Sequence, residues 1–130
     1  MINIAILGST GSIGRSTLNI IRKNKKKFKV ILLSANVNGK VLFKQAKEFK
    51  VKNVIISNTE KNKYWITKFH NKKIRTFDNF SIFNKIFKKK IDHVINGISG
   101  LDGLKPTIDI IKHTNKIAIA NKSLSFVVGI

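Results

Sequence analysis

The chain has 130 residues, no cysteine and a formal net charge of +20 at pH 7. These features predict one domain with a core of its own, and they exclude a disulfide framework and any cysteine-based metal or redox centre. No apolar run approaches the roughly 20 residues of a membrane span. The chain opens directly on a strand with no room for a signal peptide, so a cytoplasmic protein without a membrane partner is expected. The charge alone would suggest nucleic acid. Its carriers are almost all lysine, however, with arginine only at Arg15, Arg22 and Arg75. The lysines are scattered along the chain, as AT-rich codons would scatter them, and arginine is the preferred reader of base edges. No specific nucleic-acid partner is expected, only weak adhesion to RNA at low salt.

In chain order, Met1 to Leu7 is short, apolar and rich in β-branched residues, as a buried parallel strand is. Gly8-Ser9-Thr10-Gly11-Ser12-Ile13-Gly14 follows, and Ser16 to Lys26 then reads as a helix with Thr17, Leu18, Ile20 and Ile21 toward the sheet. Strand, glycine loop and helix together make a phosphate-binding pattern. Glycines let the backbone approach a pyrophosphate, and the helix start turns N–H groups and a positive dipole end toward it. The spacing G-x-x-G-x-x-G is one residue longer than the common dinucleotide fingerprint G-x-G-x-x-G. The bland alternative is a glycine turn that binds nothing.

Phe28 to Ala35 is the second expected strand. Dinucleotide folds that choose NAD place an acid about 20 residues past the glycine loop, on the ribose 2′-OH. This chain has no acid between Gly14 and Glu48. Ser34, Asn36, Asn38 and Lys40 stand there instead, small polar and cationic groups suited to a 2′-phosphate, so NADP is favoured over NAD. Val41 to Lys50 reads as a helix with Leu42, Ala46 and Phe49 inward, and Asn53 to Ser57 as a third strand. Lys61 to His70 reads as a short helix whose Tyr64 and Trp65 are expected to pack in the core rather than stack on a ligand.

Ile74 to Phe77 could form a short strand, and Phe80 to Lys89 a helix with Ile82, Phe83, Ile86 and Phe87 inward. Ile91 to Ile95 is a fourth strand, followed by a second glycine-rich loop, Asn96 to Gly103. Pro106 suits the start of a helix that runs to about His113. Lys116 to Ala120 is a fifth strand ending in Asn121-Lys122-Ser123. The alternation predicts a single-domain α/β fold, a Rossmann-like doubly wound parallel sheet with helices on both faces. All the polar loops then lie at the carboxyl ends of strands, where such sheets bind ligands.

Catalytic groups are sparse. His70, His93 and His113 have no partner at metal or triad spacing. Glu48, Glu60, Asp78, Asp92, Asp102 and Asp109 form no paired constellation, so no metal ligand is assigned. Lys122, after a buried strand, is the best candidate to hold an anionic substrate.

Gly8-Ser9-Thr10-Gly11-Ser12-Ile13-Gly14, Ile98-Ser99-Gly100 with Gly103-Leu104-Lys105-Pro106-Thr107, and Ala120-Asn121-Lys122 resemble the N-terminal domain of the 1-deoxy-D-xylulose 5-phosphate reductoisomerases, in the same order and spacing along the whole chain. The resemblance implies an NADPH-dependent enzyme of the non-mevalonate isoprenoid pathway. It converts 1-deoxy-D-xylulose 5-phosphate to 2-C-methyl-D-erythritol 4-phosphate with Mg²⁺ or Mn²⁺, as a homodimer in the full-length family. By the same match Thr10, Gly11, Ser12 and Ile13, framed by Gly8 and Gly14, would contact the NADPH phosphates. Asn38 would lie by the adenosine ribose phosphate, Asn121 by the nicotinamide half, and Lys122 would touch the phosphorylated sugar.

Three departures stand out. Asn36-Val37-Asn38 replaces the family's Gly-Lys-Asn, removing a lysine for which Lys40 is close enough to substitute. Ser123-Leu124 replaces Glu-Ser after the Asn-Lys pair, with loss of a carboxylate. The family's metal-binding Asp-Ser-Glu motif falls beyond Ile130. Residues 1–130 are therefore expected to be an NADPH-binding domain with the metal-binding catalytic and C-terminal domains missing, a fragment without a catalytic residue of its own. The alternatives are a non-catalytic dinucleotide-binding module and a basic RNA-binding domain. An aspartate-semialdehyde dehydrogenase, another reductase with such a loop, would need a cysteine.

Overall fold

The structure, a computed structural model, describes residues 1–80, 91–98, 116–119 and 127–129. The chain forms β1 (Ile2–Leu7), α1 (Ser12–Arg22), β2 (Phe28–Ala35), α2 (Gly39–Glu48) and β3 (Asn53–Ile56). A 3₁₀ turn over Glu60–Asn62 leads into α3 (Lys63–Asn71), and four further strands follow: β4 (Arg75–Phe77), β5 (His93–Asn96), β6 (Lys116–Ile119) and β7 (Val127–Gly129). The sheet order is β4-β3-β2-β1-β5-β6-β7. Every pairing is parallel except β6 with β7.

The first strand lies in the middle of the sheet and is buried on both faces. Ile4, Ala5, Ile6 and Leu7 are all inaccessible. Side chains alternate across a strand, so Ile4 and Ile6 enter one core and Ala5 and Leu7 another. The first core receives Leu18 and Ile21 from α1, Leu42 and Ala46 from α2, and Phe69 from α3. The second holds Leu32, Ile55, Ile91 and Val94, with Phe77, Phe80 and Ile98 packed on it. From β1 the chain runs outward to β4 and then restarts on the opposite side at β5. The direction of winding therefore reverses between β1 and β5, and a crevice opens there.

The α/β fold class stands as read, with differences in detail. Among the described residues the sheet has seven strands, and the edge pairing of Ile117 with Val128 is antiparallel. Three residues are too short a run for alternation to mark a strand. The first helix starts at Ser12, four residues before Ser16, and ends at Arg22. Hydrophobic periodicity misses that first turn because its buried residue is Gly14. Ile20 is 62% exposed and does not belong to the inner face.

Trp65 packs on the first core beside Phe43, with ring centroids 5.7 Å apart. Tyr64, expected there too, is 61% exposed and meets Trp65 edge-on. Neighbouring helical residues do not share a face, so only one of the pair can point inward. The expected helix over 80–89 lies outside the described residues beyond Phe80, and the one over 106–113 lies wholly outside them. No helix among the described residues is long and apolar enough to cross a membrane.

Two polar ties brace the layers. Arg22 on α1 clasps Glu48 on α2, with Nη2 donating to Oε1 at 2.8 Å. The hydrogen bond to Arg22 holds the Glu48 carboxyl below its usual range and raises the guanidinium in turn. The Asn3 amide donates to Asp92 Oδ2 at 2.9 Å, which fixes the approach to β5 beside β1.

Candidate nucleotide-binding site

The carboxyl ends of β1, β2, β3 and β5 surround a cleft of about 450 Å³. Gly8, Thr10 and Gly11 wall it from the first loop, and Ser34, Ala35 and Asn36 from the end of β2. Ser57 closes the β3 side, and Phe80, Gly97 and Ile98 the other. A volume of this order lies within the range of small-molecule and cofactor sites, about 300–1,000 Å³.

The shape of the loop follows from its glycines. Gly8 has φ +69°, in the left-handed region, and a Cβ there would stand 3.1 Å from Gly97 C and Ile98 N. Glycine thus lets the ends of β1 and β5 close together, where the Gly97 amide donates to Leu7 O at 2.8 Å. The Gly11 amide donates to Gly8 O at 3.2 Å and turns the chain into α1, where the Arg15 amide bonds Gly11 O. Gly14 sits in the first helical turn directly on the loop. A Cβ on it would lie 2.4 Å from Ser9 Cα and 2.5 Å from Ser9 O.

The loop is also bolted from behind. The amides of Gly8 and Ser9 donate to Ser34 Oγ and Ser34 O, each at 2.9 Å. Ser9 is fully buried, and its hydroxyl donates to Gln45 Oε1 at 2.8 Å. Gln45 Nε2 returns a hydrogen bond to Ser9 O at 2.9 Å. No side chain caps α1, and its first turn carries no acid. The first-turn N–H groups have no intrahelical acceptor, so the helix presents a positive end to this region with nothing built in to neutralise it.

Of the residues singled out from sequence, the structure brings Gly8, Thr10 and Gly11 to the cleft wall. Ser12, Ile13 and Gly14 form the opening of α1. Ser12 is exposed and Ile13 is 40% exposed. On the β2 side it is Asn36 that lines the cleft. Asn38 is half-buried, and its side-chain oxygen accepts from Val41 N at 3.3 Å as the N-cap of α2. Lys40 is exposed in the first turn of the same helix. The Ser34 hydroxyl is occupied by Gly8.

Asn121, Lys122 and Ser123 lie outside the described residues. Among the described residues no three His, Asp or Glu side chains gather as a metal site would need. His70 instead bonds Thr76 Oγ1 at 2.9 Å.

Three contributors were not singled out from sequence: Ser9, Gln45 and Asn62. The signal was present for Gln45, a polar residue between Leu42 and Ala46 on the inward face of its helix. Asn62 is buried, accepts from the Gly39 amide at 3.0 Å and donates to Asn58 O at 2.8 Å. It ties the segment after β2 to the segment after β3.

A parallel sheet, a crevice at the reversal of winding and a glycine loop running into an uncapped helix define a Rossmann-like α/β domain of the nucleotide-binding type. The family model for 1-deoxy-D-xylulose 5-phosphate reductoisomerase matches residues 4–129, and the chain belongs to that family. It is 55% identical over 126 residues to the 1-deoxy-D-xylulose 5-phosphate reductoisomerase of Pelagibacter ubique (strain HTCC1062), covering 94% of this chain and 32% of the relative. With that of Buchnera aphidicola subsp. Schizaphis graminum (strain Sg) it shares 38% identity, over 100% of this chain and 33% of the relative.

Among solved structures, the Zymomonas mobilis reductoisomerase in complex with NADPH superposes with a TM-score of 0.81 at 29% identity. That match covers 94% of this chain and 32% of the other. A reductoisomerase in complex with NADPH, fosmidomycin and magnesium gives a TM-score of 0.82 at 26% identity, over 94% and 30% of the two chains. The chain thus spans about a third of the length of the relatives it matches.

Proposed function

We propose that this chain binds NADPH in the cleft above β1 and β2 and serves the conversion of 1-deoxy-D-xylulose 5-phosphate to 2-C-methyl-D-erythritol 4-phosphate. The observation that carries this reading is the pairing of a glycine-walled cleft with the uncapped start of α1. Anion binding at such a helix start is a general consequence of its orphan N–H groups and dipole. The solved relatives named with NADPH support the choice of nucleotide.

In this reading the backbone of Thr10 and Gly11, with the first-turn amides of Ser12 and Ile13, holds the diphosphate. Gly8 and Gly14 keep that backbone low enough for close approach. Asn36 and Asn38 flank the ribose, and Lys40 supplies the cation for the 2′-phosphate. Asn121 serves the nicotinamide half, and Lys122 the phosphorylated sugar. When bound, NADPH supplies the hydride. The work of this chain is to hold and orient the cofactor, because hydride transfer depends on fixed geometry between the reacting atoms. The reaction is cytoplasmic. Among the described residues no three His, Asp or Glu side chains gather where Mg²⁺ or Mn²⁺ could be held.

The test is a titration of the 130-residue chain with NADPH and NADH, followed by nicotinamide fluorescence. Saturable binding that weakens at least tenfold when the 2′-phosphate is removed is the expected result. Absence of binding, or salt-sensitive binding to RNA with indifference to NADPH, overturns the proposal.

A further inference from the structure

Gln45 takes no part in lining the cleft, yet it is a buried polar side chain aimed at the glycine loop. It makes two hydrogen bonds to a single residue 36 positions away: it accepts from Ser9 Oγ and donates through Nε2 to Ser9 O. A carboxamide can satisfy both at once because it carries a donor and an acceptor side by side. The bond to the carbonyl has a consequence for the next residue. In a planar trans peptide the C=O and the following N–H point in opposite directions. With Ser9 O turned toward α2, the Thr10 N–H is turned away from it, on the side where Thr10 lines the cleft. Among the described residues the Thr10 amide has no acceptor.

We infer that Gln45 is a positioning residue, which locks the Ser9–Thr10 peptide plane so that the Thr10 amide is presented to an anionic ligand. The inference rests on the nucleotide-binding reading above and adds to it the group that orients the donor. Without Gln45 the Ser9 carbonyl loses its partner, and the peptide is free to rotate its oxygen toward the cleft. An anion would then meet a partial negative charge in place of a donor. Ser34 holds the loop through the amides of Gly8 and Ser9. Those bonds do not involve the Ser9 carbonyl, so the loop keeps its anchor while the orientation of one peptide is lost.

The test compares the unmodified chain with Gln45→Met and Gln45→Glu, using NADPH affinity and the ¹H–¹⁵N resonance of the Thr10 amide. Met matches Gln in length without its polar atoms. Glu keeps the acceptor for the Ser9 hydroxyl but, when ionised, cannot donate to Ser9 O.

In the unmodified chain the Thr10 amide is expected to move downfield as NADPH saturates the site. Both variants should retain the amide pattern of β1 and β2, bind NADPH about tenfold more weakly, as loss of a charge-assisted hydrogen bond implies, and show no downfield movement at Thr10. Variants that bind as tightly as the unmodified chain with the Thr10 shift intact overturn the inference and leave the nucleotide reading standing. Should neither variant fold, the unmodified chain still decides: a Thr10 amide that does not move on saturation overturns it. If the unmodified chain binds neither NADPH nor inorganic pyrophosphate, the nucleotide reading fails and this inference with it.

Discussion

The Gly39 amide donates to Asn62 Oδ1 at 3.0 Å, and a Cβ on Gly39 would lie 2.4 Å from that same oxygen and 3.0 Å from Trp65 Cβ. One hydrogen bond and the lack of one methyl group therefore seat the start of α2 against the turn before α3. This contact places Asn36, whose carbonyl lies 3.4 Å from Asn62 Nδ2, at the edge of the cleft. Asn62→Ala leaves the buried Gly39 amide with Val37 O alone, at 3.1 Å, and removes the Asn62 donor from the Asn58 carbonyl; it should cost about 1–3 kcal/mol in stability, the range for weakened or unsatisfied buried groups. Gly39→Ala should destabilise by a similar amount through the clash. Urea unfolding of the two variants measures both.

The loop glycines differ in what they tolerate. At Gly14 the nearest atoms to an added Cβ are all backbone, at 2.4 to 2.6 Å, and cannot swing aside. Gly14→Ala should cost about 3 kcal/mol, the upper part of the overpacking range, and abolish NADPH binding. At Gly11 an added Cβ meets only Gly8 O, at 3.5 Å. Gly11→Ala should fold with stability within about 0.5 kcal/mol of the original and still weaken NADPH, because the methyl group stands at the cleft wall. Thermal unfolding and nicotinamide fluorescence on the same samples separate the two effects.

Cofactor choice should depend on Lys40. The segment after β2 has no acid to bond a ribose hydroxyl, and Lys40 is its exposed cation. Lys40→Ala should weaken NADPH about tenfold, the loss of one charge-assisted hydrogen bond, and leave NADH unchanged. Titration of both nucleotides at low and high salt reads the result, and the difference between variant and parent should shrink as salt rises.

Acid should loosen the tie between α1 and α2. Arg22 lowers the Glu48 pKa in the folded chain, so on acidification the unfolded chain takes up the proton first. The stabilisation is complete above the ordinary Glu pKa and is lost as pH falls through the folded value. It is small, since both partners reach solvent. Glu48→Gln should lower Tm slightly at neutral pH and converge with the parent at the acid end of a Tm-against-pH series.

The sequence determined by itself whatever depends on neighbours along the chain. Ile4 to Leu7 has the composition of a strand buried on both faces, and Gly8, Gly11 and Gly14 mark a loop that passes straight into a helix. Those two facts locate the cleft, because backbone conformation and burial are set over a few consecutive residues. The start of α1 escaped the same reasoning: a buried glycine carries no hydrophobic signal. Only the tertiary structure decided how the loop is held. Ser9 meets Gln45 across 36 residues and Gly39 meets Asn62 across 23. The partners of Ser9, Gln45 and Asn62 are known only once the sheet has brought the helices together. The backbone of the loop is thus written locally, and the way it is held is a product of packing.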